Sequence, residues 1–137
     1  MPDAATYFDP LRRKDVAATP EERVRQWFIC QLSGPGAVPV HMMMSEVQMK
    51  SAGRTRRADI VVYSSSGDAV AVVECKRPDV EIDASVAEQA LRYHGVLGVN
   101  YIFLTNGNNT YIYRKSGDGF ENVRSFPTYK EMCRQCQ

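Results

Sequence analysis

The chain has 137 residues, of which 44% are hydrophobic and 24% charged, and its formal net charge is +1. This length suits a single domain with a buried core. No apolar run approaches the roughly 20 residues that cross a bilayer, and the N-terminus lacks a signal-peptide pattern, so we expect a cytoplasmic protein with no membrane partner.

The first predicted element is a helix that begins after Thr19. Thr19 is a favourable N-cap, Pro20 suits the first helical position, and Glu22 has the spacing of a capping-box acid. An apolar stripe follows at helical spacing, formed by Val24, Trp27, Phe28 and Leu32. The run Gly34-Pro35-Gly36 then predicts the end of the helix.

Three strands are expected next. Residues 38–49 indicate the first strand, and residues 60–63 and 69–73 are β-branched runs separated by the hairpin signal of residues 64–68. Between the first two strands, residues 50–57 are interpreted as a polar turn that carries Arg54, Arg56 and Arg57 beside Lys50. This basic turn either contacts phosphates or is a solvated loop.

The rest of the chain predicts one more helix and two more strands. The helix is capped by Asp83 or Ser85 and runs to about Gly95, and the strands cover residues 101–104 and 110–114. The order α-β-β-β-α-β-β indicates an α/β sandwich around one mixed sheet.

The predicted domain layout has three parts. Residues 1–18 form an N-terminal extension, residues 19–130 form a single domain, and residues 131–137 form a frayed C-terminal tail. Cys133 and Cys136 make a CxxC in that tail. The pair is either half of a zinc or redox site or a coincidence, since no second ligand pair accompanies it.

The predicted hairpin of the second and third strands concentrates charge at one end. A two-residue turn at Ser66 and Gly67 places Asp59 opposite Glu74, and opposed residues share a face within about 5 Å. Alternation puts Lys76 on the same face, roughly 7 Å from Glu74, while Cys75 points into the core. Two opposed carboxylates repel each other unless a cation lies between them, and Mg²⁺ commonly takes one or two carboxylates plus water. The other interpretation is a plain salt bridge of Lys76 with Glu74 or Asp79.

Asp59 followed by Glu74-x-Lys76 at the end of the next strand resembles the PD-(D/E)xK nuclease signature. More narrowly, the chain resembles the N-terminal nuclease domain of type I restriction enzyme R subunits in a short, stand-alone form. The matching stretches are Thr19 to Glu22 with Val24-Arg25-Gln26, then Arg57 to Tyr63, Val73 to Pro78, Gln89 with Tyr93, and Leu104 to Gly107. Two departures are Ala58 where the signature has proline and the lack of a GxxxxGK[ST] motor loop.

The resemblance implies a restriction-endonuclease-like three-layer sandwich and roles for individual residues. Asp59 and Glu74 would bind Mg²⁺, for which Mn²⁺ can substitute, with the Cys75 carbonyl as a further ligand. Lys76 would orient the attacking water and stabilise charge on the phosphate. Gln89 and Tyr93 lie on one helix face and would support the site and touch the DNA strand; otherwise they only cover the sheet edge.

An acidic residue on the first helix often completes such sites. Glu21 is favoured because Glu22 is explained as a cap, although stabilisation of the helix dipole explains both. His41 and His94 fall in no cluster of metal-ligand spacing.

Two functions follow from these interpretations. The first is a magnesium-dependent DNA endonuclease domain that acts on DNA, with helicase or other restriction subunits as further partners. The second is a non-catalytic nucleic-acid-binding or assembly module on the same fold. The oligomeric state stays open, a homodimer included.

Overall fold

The computed structural model describes residues 5–134, which form three α-helices and eight strands. The helices are α1 (Pro20–Ser33), α2 (Ala84–His94) and α3 (Tyr129–Cys133). The strands are β1 (Thr6–Asp9), β2 (Lys14–Ala17), β3 (Met43–Ser51), β4 (Arg54–Tyr63), β5 (Ala69–Cys75), β6 (Tyr101–Thr105), β7 (Thr110–Ser116) and β8 (Gly119–Val123). None of the helices within this part of the chain is long and apolar enough to cross a bilayer.

A six-stranded mixed sheet forms the middle layer of the domain, in the order β3-β4-β5-β6-β7-β8. Only the β5–β6 pair is parallel among the strands of this sheet, and α2 makes the crossover between them. Phe28 of α1 and Met132 of α3 pack on one face of the sheet, whereas Leu91 of α2 packs on the other. The predicted three-layer α/β sandwich around one mixed sheet is confirmed, and the predicted elements occur in the predicted order α-β-β-β-α-β-β.

Helix α1 begins and ends as the sequence predicts, but one detail of its start differs. The Thr19 hydroxyl accepts a hydrogen bond from the Glu22 amide at 3.1 Å, so Thr19 is the N-cap. In a capping box the Glu22 carboxylate would accept a hydrogen bond from the Thr19 backbone amide. It instead accepts hydrogen bonds from Arg12 and Gln26. The capping-box assignment of Glu22 is therefore wrong, and Glu22 is a buried residue.

The basic segment of residues 50–57 is mostly strand rather than the predicted turn. β3 begins at Met43, after a 3₁₀ turn at Val40–Met42, and runs to Ser51, which pairs with Arg54 at the start of β4. The intervening Ala52 and Gly53 both have positive φ, 51° and 77°, as a tight two-residue hairpin requires. Extended backbone therefore presents the arginines.

The β4–β5 hairpin has the predicted register although its turn is different. Ile60 pairs with Val73 and Val62 with Ala71, which is the register that predicts Asp59 opposite Glu74; the Ile60–Val73 pair is one residue short of Asp59 and Glu74. The connection is a loop of residues 64–68, not a two-residue turn, and Tyr63 pairs with Ala69. An irregularity between Val62 and Tyr63 compensates for this shift, so Asp59 still lies beside the end of β5.

Four elements were missed from the sequence. The hairpin β1–β2 lies within the predicted extension of residues 1–18, and β8 and α3 follow the last predicted strand. α3 includes residues expected in the frayed tail, and its Met132 is fully buried, so that expectation is wrong up to residue 134. Residues 135–137, with Cys136 of the predicted CxxC, lie outside the described residues. The outer limits of the domain stay a prediction.

Candidate functional site

Asp59 lies near the middle of β4, where the pairing with β3 is interrupted. Ser45 pairs with Ile60, and the next pair is Val47 with Ala58. Glu46 and Asp59, which lie between these pairs, are not paired, and the φ of Glu46 is +55°. The Asp59 Oδ2 atom accepts a hydrogen bond of 2.6 Å from the Cys75 amide. Burial raises the pKa of Asp59 above its usual value, even though this amide and the guanidinium of Arg25 act in the opposite direction. Asp59 is thus a partly buried carboxylate whose negative charge is incompletely compensated.

Glu74, the penultimate residue of β5, has a protein partner on each carboxylate oxygen. Oε2 lies 2.7 Å from the Lys76 ammonium and Oε1 lies 2.8 Å from His94 Nε2. Burial alone would raise the pKa of Glu74, but the hydrogen bonds from His94 and Lys76 outweigh it and hold the pKa at about 2. The predicted salt bridge of Lys76 therefore forms with Glu74, whereas Asp79 pairs with Arg77.

His94 is a site residue that the sequence interpretation missed. In the sequence His94 falls in no cluster of metal-ligand spacing, so no local pattern indicates a role for it. His94 follows Glu74 by twenty residues in the sequence. The two side chains meet in space because α2 crosses back over the sheet between β5 and β6. The other histidine, His41, is exposed.

A chain of alternating charges connects Asp59 to the N-terminal hairpin. The buried Arg25 places Nη2 3.7 Å from Asp59, Nη1 3.2 Å from Glu46 and Nε 3.7 Å from Glu22. Glu22 in turn lies 2.7 Å from Arg12, which also pairs with the fully buried Asp9 and with Glu46. The carboxylates around these two guanidinium groups fix α1 and the hairpin beside β4.

Glu21 and Glu22 take different positions on α1. Glu22 is buried and engaged by Arg12, whereas Glu21 is half-buried. Both carboxylates lie close enough to Cys75 to raise the pKa of its thiol, after burial and the charge of Asp59. Cys75 is 3% exposed, in agreement with its predicted position in the core. Glu21 as the helix-one acid stays a prediction.

A cleft of about 450 Å³ opens beside Glu74 and Lys76. Its remaining walls come from Val80 and from one face of α2, formed by Val86, Gln89, Ala90 and Tyr93. Gln89 and Tyr93 thus share the cleft with the strand-end charges, as their spacing on one helix predicts. The exposed Gln89 amide borders a space next to the Lys76 ammonium.

Tyr93 also holds the basic β3–β4 hairpin. Its hydroxyl accepts a hydrogen bond of 2.9 Å from the Arg57 amide, and its backbone carbonyl accepts one of 3.0 Å from Arg56. The Arg56 guanidinium lies 4.7 Å from the centre of the Tyr93 ring. The structure therefore gives Tyr93 a supporting role, while the exposed Arg54 and Arg57 side chains point a positive surface to solvent.

The donor set near the cleft suits a hydrated magnesium ion better than a metal held mainly by protein. Among residues 5–134 no three His, Cys, Asp or Glu side chains form a group that could hold a metal. Mg²⁺ usually keeps several waters and binds one or two carboxylates. Asp59 and Glu74 supply that number, and the incomplete charge compensation of Asp59 fits a cation next to it.

Comparisons with known proteins point to one family. The sequence profile of the family described as type I restriction enzyme R protein N terminus matches residues 20–127. No curated protein matches the chain.

Solved structures similar to this chain include the following two. One is a fragment of a protein described as an HsdR subunit of a type I restriction enzyme from Vibrio vulnificus YJ016, with 25% identity and a TM-score of 0.44. The similarity covers 66% of this chain, which spans only 18% of that one. The other is described as a nuclease belonging to DUF820 from Anabaena variabilis ATCC 29413, with 12% identity and a TM-score of 0.49 over 88% of this chain and 77% of that chain.

Proposed function

The chain belongs to the family of type I restriction enzyme R protein N termini, and on this premise we propose that it hydrolyses DNA phosphodiester bonds with the help of Mg²⁺. The observation that carries the proposal is the meeting of three groups where the end of β5 lies beside the middle of β4. Asp59 is bonded to the Cys75 amide, and Glu74 is paired with Lys76 beside an open cleft. This arrangement supplies both negative ligands for a cation and a positive group for a phosphate.

Each residue of this arrangement has a distinct task in the proposed reaction. Asp59 and Glu74 hold the ion, with the Cys75 carbonyl as a further ligand. When bound, Mg²⁺ would lower the pKa of a water ligand and polarise the phosphoryl oxygen, and Mn²⁺ would act similarly. Lys76, held by Glu74 at 2.7 Å, donates hydrogen bonds to the attacking water and to the phosphate oxygen on which charge develops.

The surroundings of the cleft would bind and orient the DNA strand. Gln89 borders the cleft and can donate its amide to a phosphate or a base. Arg54, Arg56 and Arg57 of the β3–β4 hairpin contact phosphates that flank the scissile bond, and Tyr93 keeps that hairpin against α2. Glu21 approaches from α1 as an additional acid. Helicase or other restriction subunits are the proposed protein partners.

Cleavage of supercoiled plasmid in the presence of Mg²⁺ or Mn²⁺ tests this function. Glu74→Ala and Lys76→Ala should each lower the cleavage rate by about 100-fold or more, since the first removes a ligand of the ion and the second removes the positive group aimed at the developing charge. Glu88→Ala is the matched control, because Glu88 is an exposed carboxylate of α2 that pairs only with Arg92 among the described contacts. Unchanged cleavage in both site variants would show that the active site lies elsewhere.

The second candidate function is a non-catalytic nucleic-acid-binding or assembly module on the same fold. The observation in its favour is that both oxygens of Glu74 already have protein partners. Calorimetric titration with Mg²⁺ distinguishes the two functions. Binding of DNA without any binding of Mg²⁺ at millimolar concentration would favour the module over the nuclease.

A further inference from the structure

His94 occupies an unusual environment for a polar side chain. It is the last residue of α2 and is 0% exposed. Its Nε2 atom lies 2.8 Å from Glu74 Oε1, but its Nδ1 atom is buried without a hydrogen-bond partner among the residues that the structure describes. One ring nitrogen thus forms a hydrogen bond, and the other forms none in the described part of the chain.

The partner of Nε2 defines the direction of the hydrogen bond. An ionised carboxylate only accepts hydrogen bonds, so Nε2 must carry the proton and donate it to Glu74. Glu74 therefore accepts this hydrogen bond from His94, as it accepts the one from Lys76 on its other oxygen.

Packing alone does not account for a histidine at this position. A buried polar atom without a partner destabilises a fold, and an apolar side chain of similar shape would fill the same space without that cost. The one favourable polar contact that the imidazole makes in the described structure is its hydrogen bond to Glu74. That contact leads directly to the carboxylate at the mouth of the cleft.

The two hydrogen bonds of Glu74 differ in kind. Lys76 is 35% exposed and has a long flexible side chain, so it can move towards a phosphate and release its hold on Oε2. The His94 side chain is fixed inside the fold between α2 and the sheet. Its hydrogen bond to Oε1 therefore remains when Lys76 moves. Glu74 consequently keeps its orientation even when Lys76 contacts substrate.

We propose that His94 is a positioning residue that fixes the Glu74 carboxylate in the orientation needed to bind a divalent cation, and this inference rests on the proposed function. Hydrogen-bonding partners of metal-binding carboxylates typically change metal affinity or activity by about 10- to 100-fold when they are replaced. The residue lies directly after the Gln89-x-x-x-Tyr93 element, so α2 would contribute to the site through its core side as well as through its cleft side.

Calorimetric titration of the whole chain with Mn²⁺ and with Mg²⁺ tests the inference without relying on cleavage. His94→Phe keeps a planar ring and removes the donor, and it should weaken metal binding by about 10-fold or more. His94→Gln can place its amide N–H near the position of Nε2 and should regain most of the affinity. His94→Leu is a second apolar variant in case the phenylalanine does not fit, and His41→Gln is the control for loss of an exposed histidine.

The thermal unfolding midpoint of each metal-free variant shows which variants are folded, and His94→Phe and His94→Leu should have a lower midpoint because Glu74 loses a hydrogen-bond donor. Positioning predicts that these two folded variants bind metal weakly and that His94→Gln regains the metal affinity, whereas a purely structural role predicts the wild-type metal affinity in every folded variant. Unchanged metal affinity in folded His94→Phe and His94→Leu would overturn the inference and leave the proposed function intact. If the wild type itself binds neither metal, both the proposed function and this inference fail.

Discussion

Replacing Glu74 by glutamine should destabilise the fold in a way that depends on pH. Glutamine keeps the shape of the side chain and removes the negative charge that Lys76 and His94 stabilise. The pKa of Glu74 is held at about 2 in the folded protein, against 4.5 for an ordinary glutamate. A lowered folded-state pKa contributes stability that is complete above pH 4.5 and is lost as the pH falls towards 2.

The size of this effect follows from the same two pKa values. Each tenfold change in the acid dissociation constant corresponds to 1.36 kcal/mol, so a fall from 4.5 to about 2 corresponds to about 3 kcal/mol in the free energy of unfolding. This is an upper value, because the Lys76 ammonium is 35% exposed and water screens part of the attraction. Near pH 7 the Glu74→Gln variant should therefore be less stable than the wild type by up to that amount.

Urea unfolding of both proteins at a series of pH values between 7 and 2.5, without divalent metal, measures this difference. The other carboxylates titrate in both proteins, so subtraction of the two curves isolates Glu74. The difference should be constant from pH 7 to about 5 and should shrink below pH 4.5. A difference that does not change with pH, or a glutamine variant more stable than the wild type at pH 7, would refute the assignment of Glu74 as a charge stabilised by its two partners.

Three further predictions concern neighbouring residues. Asp59→Asn should raise the urea midpoint at pH 7, because burial raises the pKa of Asp59 and its ionised form is unfavourable in the fold; the gain should disappear as the pH falls and Asp59 becomes protonated. Arg12→Met should lower the free energy of unfolding by about 3 kcal/mol, since it leaves buried carboxylates without their partner, whereas Arg13→Met, at an exposed neighbour, should change it by less than about 0.5 kcal/mol. Tyr93→Phe should cost about 1 kcal/mol and accelerate hydrogen exchange at the Arg57 amide, and unchanged exchange there would contradict the role of Tyr93 in holding the basic hairpin.

The elements that could be predicted from the sequence are those with strong local signals. Thr19 and Pro20 define the start of α1, and the apolar runs of β4, β5 and β6 leave little choice because these strands are covered on both faces. The position of Cys75 in the core follows from simple alternation along β5. The meeting of Asp59 with the end of β5 follows from a register that local patterning already favours.

The missed features depend on contacts between residues distant in the chain. β1 and β2 have four residues each, and Arg12 in the turn between them pairs with Glu22 of α1, a contact that no local pattern reveals. Glu22 has the spacing of a capping-box acid, but a distant arginine attracts its carboxylate more strongly than the backbone amide does. His94 meets Glu74 only after the crossover of α2 is complete. A signal for His94 does exist in the sequence, since it directly follows Tyr93 in the helix that borders the site.

Because of the irregularity between Val62 and Tyr63, the β4–β5 hairpin can tolerate changes in the length of its connecting loop. The register at Asp59 is defined by the pairs from Ile60 and Val73 to Val62 and Ala71, which lie on the site side of the irregularity. The loop of residues 64–68 lies on the other side and its tip is exposed. Insertions or deletions in this loop are absorbed before they reach the paired core of the two strands. The loop is accordingly the place where an inserted peptide or a label can be accommodated without changing the distance between the Asp59 carboxylate and the Cys75 amide.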